Sequence, residues 1–181
     1  MKSLFLSLFV IIALSSSAQV SKVTLQASGL TCSMCSKAVL ESLQEVSFVE
    51  KVLVNIKKQE YSITFKENAS INFDALEKAV TDAGFSVASL KVTTHVNDLK
   101  IAKDEHLKIG DHYFHFLNKD EKKLNGPVTF SIVDKAFVSA KDFKKYASMT
   151  KMKCIQTGKM ESCCSSETNA TEGTRIYHVI I

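Results

Sequence analysis

The sequence predicts an α+β protein with a βαββαβ unit in its first half and a second, mainly β part behind it. Three observations support this prediction: apolar residues that alternate as in strands, two segments with apolar residues at helical spacing, and polar turn residues between them. The chain has 181 residues, of which 45% are hydrophobic and 23% charged. This composition is typical of a globular protein that buries a core of ordinary size.

The first residues predict a secretory signal peptide over residues 1–18, with cleavage before Gln19. One lysine precedes an apolar run from Leu4 to Leu14, and a stretch of small residues ends at Ala18. The apolar run is shorter than the roughly 20 residues that cross a bilayer. We therefore expect an exported chain without stable membrane insertion, located in the periplasm or outside the cell.

The βαββαβ unit is predicted over residues 19–93. Val23, Leu25 and Ala27 alternate with polar residues, as in a half-buried strand. The elements that follow are a helix with Val39 and Leu43 on one face, a hairpin in residues 52–65, a helix capped by Asn72 and ended by Gly84, and a strand in residues 85–92. This order is the split βαβ arrangement of ferredoxin-like folds, in which two helices cover one face of an antiparallel sheet.

The second part, residues 94–181, is predicted to be mainly β. Strand-like runs and one helix-like run follow in the order strand 94–102, strand 112–118, strand 126–139, helix 140–149 and strand 174–181. Several short strands with one helix are compatible with a small barrel of the OB type. We therefore expect a second domain over residues 94–181, of OB-like architecture, with a cysteine-containing polar loop before its last strand.

Charge and motif content exclude several classes of function. The chain carries 23 basic and 19 acidic residues, and the formal net charge of +4 is spread along the sequence. A basic patch for nucleic acid is therefore not expected. The sequence also has no nucleophilic triad, phosphate-binding loop, paired acid and base carboxylates or dinucleotide fingerprint. We expect a binding protein rather than an enzyme.

Cys32 and Cys35 form a CxxC pair between the first predicted strand and the first predicted helix. A pair of soft thiolates suits Cu(I), with Ag(I) and Hg(II) as alternatives, and a closed four-coordinate zinc site would need further ligands nearby. A position in the first turn of a helix lowers a thiol pKa, which favours the thiolate that binds metal. An ion with two protein ligands stays open to a third thiolate, as a metal carrier requires.

Two other interpretations of the CxxC pair remain open. The pair also occurs between a strand and a helix in thioredoxin-like redox proteins, although those carry Gly-Pro between the cysteines beside a Trp. Here Ser33 and Met34 separate the cysteines, and the chain has no Trp. The third interpretation is an inert structural pair in an interaction module that docks a membrane transporter.

The other three of the five cysteines lie near the C-terminus, at Cys154, Cys163 and Cys164. In an exported protein, a disulfide from Cys154 to one of the other two would staple the loop between them. The alternative is a second soft-metal site, or an acceptor for metal from the CxxC pair, because methionines surround these cysteines in the sequence. The sequence leaves both hypotheses open.

The histidines carry no metal-site prediction. His112 and His115 lie three residues apart in a predicted strand, so their side chains point to opposite faces and cannot share an ion in a regular strand. His95, His106 and His178 are isolated in the sequence.

Residues 21–92 resemble the heavy-metal-associated domain, which occurs in copper chaperones, copper-exporting ATPases and secreted mercury-binding proteins. The resemblance rests on three motifs in the expected order: "GLTCSMC", "VEKVLVNIKKQEYSITF" and "AVTDAGF". It implies a ferredoxin-like fold with Cys32 and Cys35 as metal ligands on a loop shaped by Gly29 and Thr31. It also implies, as partner, a metal-transporting membrane protein or another metal-binding domain.

Two positions depart from common patterns of that family. Leu30 stands where the family usually carries Met under the loop, an apolar exchange that is expected to cost little. Phe85 stands where cytosolic chaperones often carry Lys and the ATPase modules carry an aromatic residue. A positive charge over the thiol pair is therefore not expected from this position.

Overall fold

The structure, a computed structural model, describes residues 20–162, 168 and 170–181. The predicted signal peptide, Cys163 and Cys164 lie outside these residues. The elements are β1 (Val20–Ser28), α1 (Ser33–Gln44), β2 (Val49–Asn55), β3 (Glu60–Phe65), α2 (Phe73–Asp82), β4 (Ser86–Ile101), β5 (Glu105–Ile109), β6 (His112–Phe116), β7 (Lys122–Ile132), α3 (Ala140–Ala147), α4 (Cys154–Thr157) and β8 (Ile176–Ile180). A short 3-10 turn, Ile56–Lys58, joins β2 to β3.

The predicted βαββαβ unit is present. Its strands lie in the order β2-β3-β1-β4 with antiparallel pairing, which is the ferredoxin-like order. The helices bury the apolar faces expected from their spacing, with Val39 and Leu43 of α1 and Leu76 and Val80 of α2 all fully buried. The Asn72 side chain caps α2 by accepting a hydrogen bond from the Ala75 N–H at 3.2 Å.

The second half does not confirm the predicted OB-like barrel. All eight described strands form one sheet, in the order β2-β3-β1-β4-β7-β8-β6-β5, so the described part of the chain has β2 and β5 as open edges. The physical reason is the length of β4, whose 16 residues pair with β1 at one end and with β7 along their course. The predicted boundary between residues 93 and 94 lies inside this strand.

The run predicted as a new strand at residues 94–102 is therefore the continuation of β4. A register shift between Val96 and Leu99 interrupts the β4–β7 ladder, and Asp98 there has a left-handed φ of 48°. Such a bulge keeps the strand paired while it bends. The strand β5 escaped prediction because it is short and contains charged residues.

Aromatic packing joins the two halves into one core. Phe73, the first residue of α2, is fully buried, with its ring centroid 5.0 Å from that of Tyr177 in β8 and 6.4 Å from that of Phe114 in β6. The Arg175 guanidinium, next to β8, donates to both carboxylate oxygens of Asp74 in α2 at 2.9 Å. The helix of the N-terminal unit thus rests on strands of the C-terminal half.

Among the described residues, no helix combines the length and the apolar character that a bilayer span requires.

Candidate metal centres

The first candidate centre is the thiol pair at the start of α1. Gly29 ends β1 with a left-handed φ of 86°, a conformation that favours glycine, and turns the chain toward the helix. Cys32 is the N-cap of α1, and its sulfur accepts a hydrogen bond from the Cys35 N–H at 3.4 Å. Cys35 lies in the first turn of α1, where the positive end of the helix dipole favours a thiolate.

The two sulfurs of the pair lie close together at the surface. Cys32 Sγ and Cys35 Sγ are 3.0 Å apart, Cys32 is exposed and Cys35 is half-buried. Hydrogen bonding from Cys32, and then from Thr31, lowers the pKa of Cys35 to about 7. A large fraction of Cys35 is therefore thiolate at neutral pH, the form that binds a metal ion.

Residues of the β2–β3 hairpin hold this loop in place through two hydrogen bonds. The Gln59 side-chain amide donates to the Leu30 carbonyl oxygen at 3.1 Å, and the Tyr61 hydroxyl donates to the Ser36 carbonyl oxygen at 3.2 Å. Leu30 and Tyr61 are buried under the loop. These hydrogen bonds and buried side chains therefore fix the backbone of the loop that carries the thiol pair.

Comparison with known proteins agrees with this arrangement. The profile of the heavy-metal-associated domain matches residues 24–86. The mercuric transport protein periplasmic component of Serratia marcescens is 36% identical over 86 residues, which cover 47% of this chain and 93% of that protein.

The chain belongs to the heavy-metal-associated domain family.

Other relatives also match part of this heavy-metal-associated protein. A copper-transporting ATPase of Helicobacter pylori is 38% identical over 58 residues, which cover 32% of this chain but only 8% of the ATPase. Among solved structures, oxidized MerP from Ralstonia metallidurans CH34 is 33% identical and covers 39% of this chain and 96% of its own, with a TM-score of 0.35. Each of these matches covers less than half of this chain.

The second candidate centre lies in the C-terminal half, around Cys154. This cysteine begins the short helix α4 and is fully buried. Its sulfur is 3.4 Å from Nε2 of His178, 3.6 Å from Nδ1 of His115 and 3.9 Å from Nε2 of His106. Three imidazoles therefore converge on one sulfur in the protein interior.

The histidines form a row across three neighbouring strands. His106 of β5 pairs in register with His115 of β6, and His115 pairs in register with His178 of β8. Residues in register lie on the same face of a sheet, so all three rings point to the same side. His106 and His115 stack with ring centroids 4.3 Å apart, and His178 meets His115 edge-on at 5.0 Å.

Two aspartates hold the outer nitrogens of this row. Asp104 Oδ1 is 3.2 Å from Nε2 of His115, and Asp134 Oδ1 is 2.6 Å from Nδ1 of His178. Burial, followed by the nearby rings of the other two histidines, lowers the pKa of His115 to about 2. His115 is therefore a neutral imidazole, which can bind a metal ion through its remaining nitrogen.

Of the three C-terminal cysteines, only Cys154 lies within the described residues. Cys154 lies beside the three histidines, a neighbourhood that the sequence analysis did not predict. The predicted disulfide partners, Cys163 and Cys164, lie outside the described residues, so that pairing stays a prediction.

His112 and His115 lie on opposite faces of β6, whereas His115 belongs to the row with His106 and His178. As expected from the strand period, His112 turns away from His115 and packs on Phe73, with ring centroids 4.6 Å apart. Sequence spacing does not indicate the row, because His106 and His178 are far apart in the sequence. Only the register of β5, β6 and β8 brings the three together, and the parallel pairing of β6 with β8 has no local sequence signal.

Proposed function

We propose that this heavy-metal-associated protein is an exported carrier of a soft metal ion, most simply Cu(I), held by Cys32 and Cys35. The observation that carries the proposal is the pair of sulfurs 3.0 Å apart at the surface end of a helix. Thiolates are the preferred ligands of soft ions. The lowered pKa of Cys35, about 7, supplies a thiolate without a strong base nearby.

The exposure of the pair supports transfer rather than storage. Two protein ligands leave the coordination of the ion incomplete, so a thiolate from a partner can add before the first bonds break. The partner would be another metal-binding domain or a metal-transporting membrane protein, in line with the ATPase relative. Relatives described as periplasmic support export to the periplasm.

Hg(II) is the second candidate ion, because mercuric transport proteins are among the relatives. Mercuric transport proteins of Serratia marcescens and Pseudomonas aeruginosa match over 93% and 68% of their own lengths, far more than the ATPase does. The thiol pair itself suits both ions equally well, because both prefer sulfur ligands.

Metal titration tests the carrier function. Reduced protein without its signal peptide, titrated with Cu(I) against a competing chelator, should bind one tight equivalent that the Cys32→Ser, Cys35→Ser double variant lacks. The matched control is Met34→Ala, which alters the exposed residue between the cysteines and should keep that equivalent. Unchanged binding by the double variant would rule out this pair as the carrier site.

Two further measurements separate the alternatives. In competition at equal concentrations, preferential loading with Hg(II) would replace Cu(I) as the cargo. A thiol–disulfide enzyme should catalyse the reduction of insulin in its metal-free form, as exchange enzymes with potentials of about −270 to −120 mV do. We expect no such catalysis, and its observation would contradict the carrier function.

A further inference from the structure

The cluster of Cys154 with His106, His115 and His178 has hydrogen-bonding chemistry that calls for a cation. A carboxylate only accepts hydrogen bonds, so the imidazole nitrogen that faces it carries the proton. Asp104 therefore places the proton of His115 on Nε2, and Asp134 places that of His178 on Nδ1. The other nitrogen of each ring, the one near Cys154, presents a lone pair to the sulfur.

A single thiol cannot satisfy both of these lone pairs. Nδ1 of His115 and Nε2 of His178 lie 3.6 and 3.4 Å from the Cys154 sulfur, and a thiol has only one proton to donate. A metal ion bound by the sulfur and the nitrogens would satisfy all of these electron pairs at once.

The distances fit a tetrahedral ion. With metal–sulfur bonds of about 2.3 Å and metal–nitrogen bonds of about 2.0–2.1 Å, tetrahedral angles put sulfur and nitrogen roughly 3.6 Å apart. The three sulfur–nitrogen distances in the cluster are 3.4, 3.6 and 3.9 Å. The ligand atoms of His106, His115 and Cys154 also lie within 4.8 Å of one another. His178 is not part of this three-residue group, so its ring must move toward the other two imidazoles to bind the same ion.

We propose that Cys154, His106, His115 and His178 form a second, buried metal site that takes a divalent ion of the Zn(II) class. One thiolate with three imidazoles is a harder donor set than the thiol pair of Cys32 and Cys35, and it suits zinc better than a soft monovalent ion. Four protein ligands leave no open position, which is typical of a structural site. The carboxylates behind two of the histidines match the way that proteins orient imidazoles on zinc.

The position of the site gives it a structural role. Its ligands come from β5, β6, β8 and α4, so the bound ion would tie the edge of the sheet to the segment that leads into the last strand. This site does not depend on the carrier function of the thiol pair, and either can fail without the other.

Zinc binding by the full mature chain tests the site. The Cys32→Ser, Cys35→Ser variant removes the first centre, and under reducing conditions it should bind one equivalent of Zn(II) against a chromophoric chelator. Adding Cys154→Ser, or His178→Asn, should abolish that equivalent. The control is His95→Asn, which changes an exposed histidine on β4 outside the cluster and should leave zinc binding intact.

Co(II) provides a direct view of the ligands. Bound in place of zinc, it should give the ligand-field bands of a tetrahedral ion and a charge-transfer band from the thiolate, and the charge-transfer band should vanish in Cys154→Ser. Asp104→Asn, at a partly exposed position, should weaken zinc binding by about 10- to 100-fold because it releases His115. This variant keeps the test decisive even if the buried substitutions prevent folding.

Four outcomes would overturn the proposal. They are no zinc uptake by the variant that lacks the first pair, uptake that Cys154→Ser leaves unchanged, loss of uptake in a Cys163→Ser, Cys164→Ser variant, and exclusive binding of Cu(I) at this cluster in competition with Zn(II). The first two would remove the site, the third would change its ligands, and the fourth would change its ion.

Discussion

The two candidate metal centres of this protein differ in exposure and in the number and type of their ligand atoms. The thiol pair of Cys32 and Cys35 offers two sulfur ligands at the surface, on a loop at a helix start. The cluster of Cys154 offers one sulfur with three imidazoles, and its cysteine and His115 are inaccessible to solvent. A ligand-poor, exposed site lets a partner attack the bound ion, whereas a closed, buried site does not.

The difference between the thiol pair and the Cys154 cluster shows that the number of cysteines does not by itself indicate what a site does. The eight described strands of the chain form one sheet, so burial and ligand number, rather than separate sheets, distinguish the two centres. A chain of contacts also runs between the halves, because the Arg175 guanidinium binds Asp74 of α2 and also lies 2.9 Å from Asp134, the residue that holds His178. The N-terminal unit therefore helps to support the buried cluster.

The largest effect is expected from a substitution that weakens the packing between the two halves. Phe73→Ala removes a fully buried ring that packs on Tyr177 and Phe114, and should lower the free energy of unfolding by about 3–5 kcal/mol. Denaturant unfolding followed by circular dichroism measures this change. Leu53→Ala, at a residue that is 58% exposed on β2, is the control and should change stability by less than about 0.5 kcal/mol. A similar small effect from Phe73→Ala would mean that the halves do not share a core.

Zinc should stabilise the protein through the buried cluster alone. At a free concentration about 100 times the dissociation constant, a ligand that binds only the native state raises the free energy of unfolding by about 2.7 kcal/mol. We expect this stabilisation in the wild-type chain and in the Cys32→Ser, Cys35→Ser variant. It should be absent in Cys154→Ser, as measured by thermal unfolding with and without Zn(II). Stabilisation that follows the surface pair instead would reverse the roles of the two centres.

The ion pair between the halves should have a smaller effect. Asp74→Asn weakens the paired hydrogen bonds from Arg175 and the bond from the Tyr177 hydroxyl, and should cost about 1 kcal/mol because Asp74 is 44% exposed. The control is Asp82→Asn, which breaks a surface pair with Lys78 and should cost no more than about 0.5 kcal/mol. Equal costs in chemical denaturation would mean that the link to Arg175 adds nothing beyond a surface pair.

The smallest expected effect is a change in thiol reactivity without a change in fold. Because hydrogen bonds lower the pKa of Cys35 to about 7, its alkylation in the reduced, metal-free protein should speed up between pH 6 and 8 and then level off. Cys32→Ala removes the largest cause of the lowered pKa and should move that rise to higher pH. Peptide mapping should find Cys154 far less reactive over the same range, because it is fully buried. An unshifted profile in Cys32→Ala would mean that the two sulfurs do not interact.

Much of the N-terminal unit was predictable because its signals are local. The periods of the apolar residues, the cap at Asn72 and the stop at Gly84 each depend on neighbours a few positions away, and the structure confirms them. The position of Cys32 and Cys35 at a helix start was equally predictable. The OB-like barrel was not confirmed, because strand-like runs alone cannot reveal that β4 continues through the expected boundary into a common sheet.

The elements of the βαββαβ unit and the thiol pair between β1 and α1 could be predicted from the sequence, since the apolar periods, caps and turn residues that mark them lie close along the chain. The meeting of His106, His115 and His178 with Cys154 could not, because Cys154 lies 48, 39 and 24 residues from them. The physical reason is strand register. An antiparallel and a parallel pairing align three distant residues on one face, and neither pairing is encoded by the spacing of the histidines.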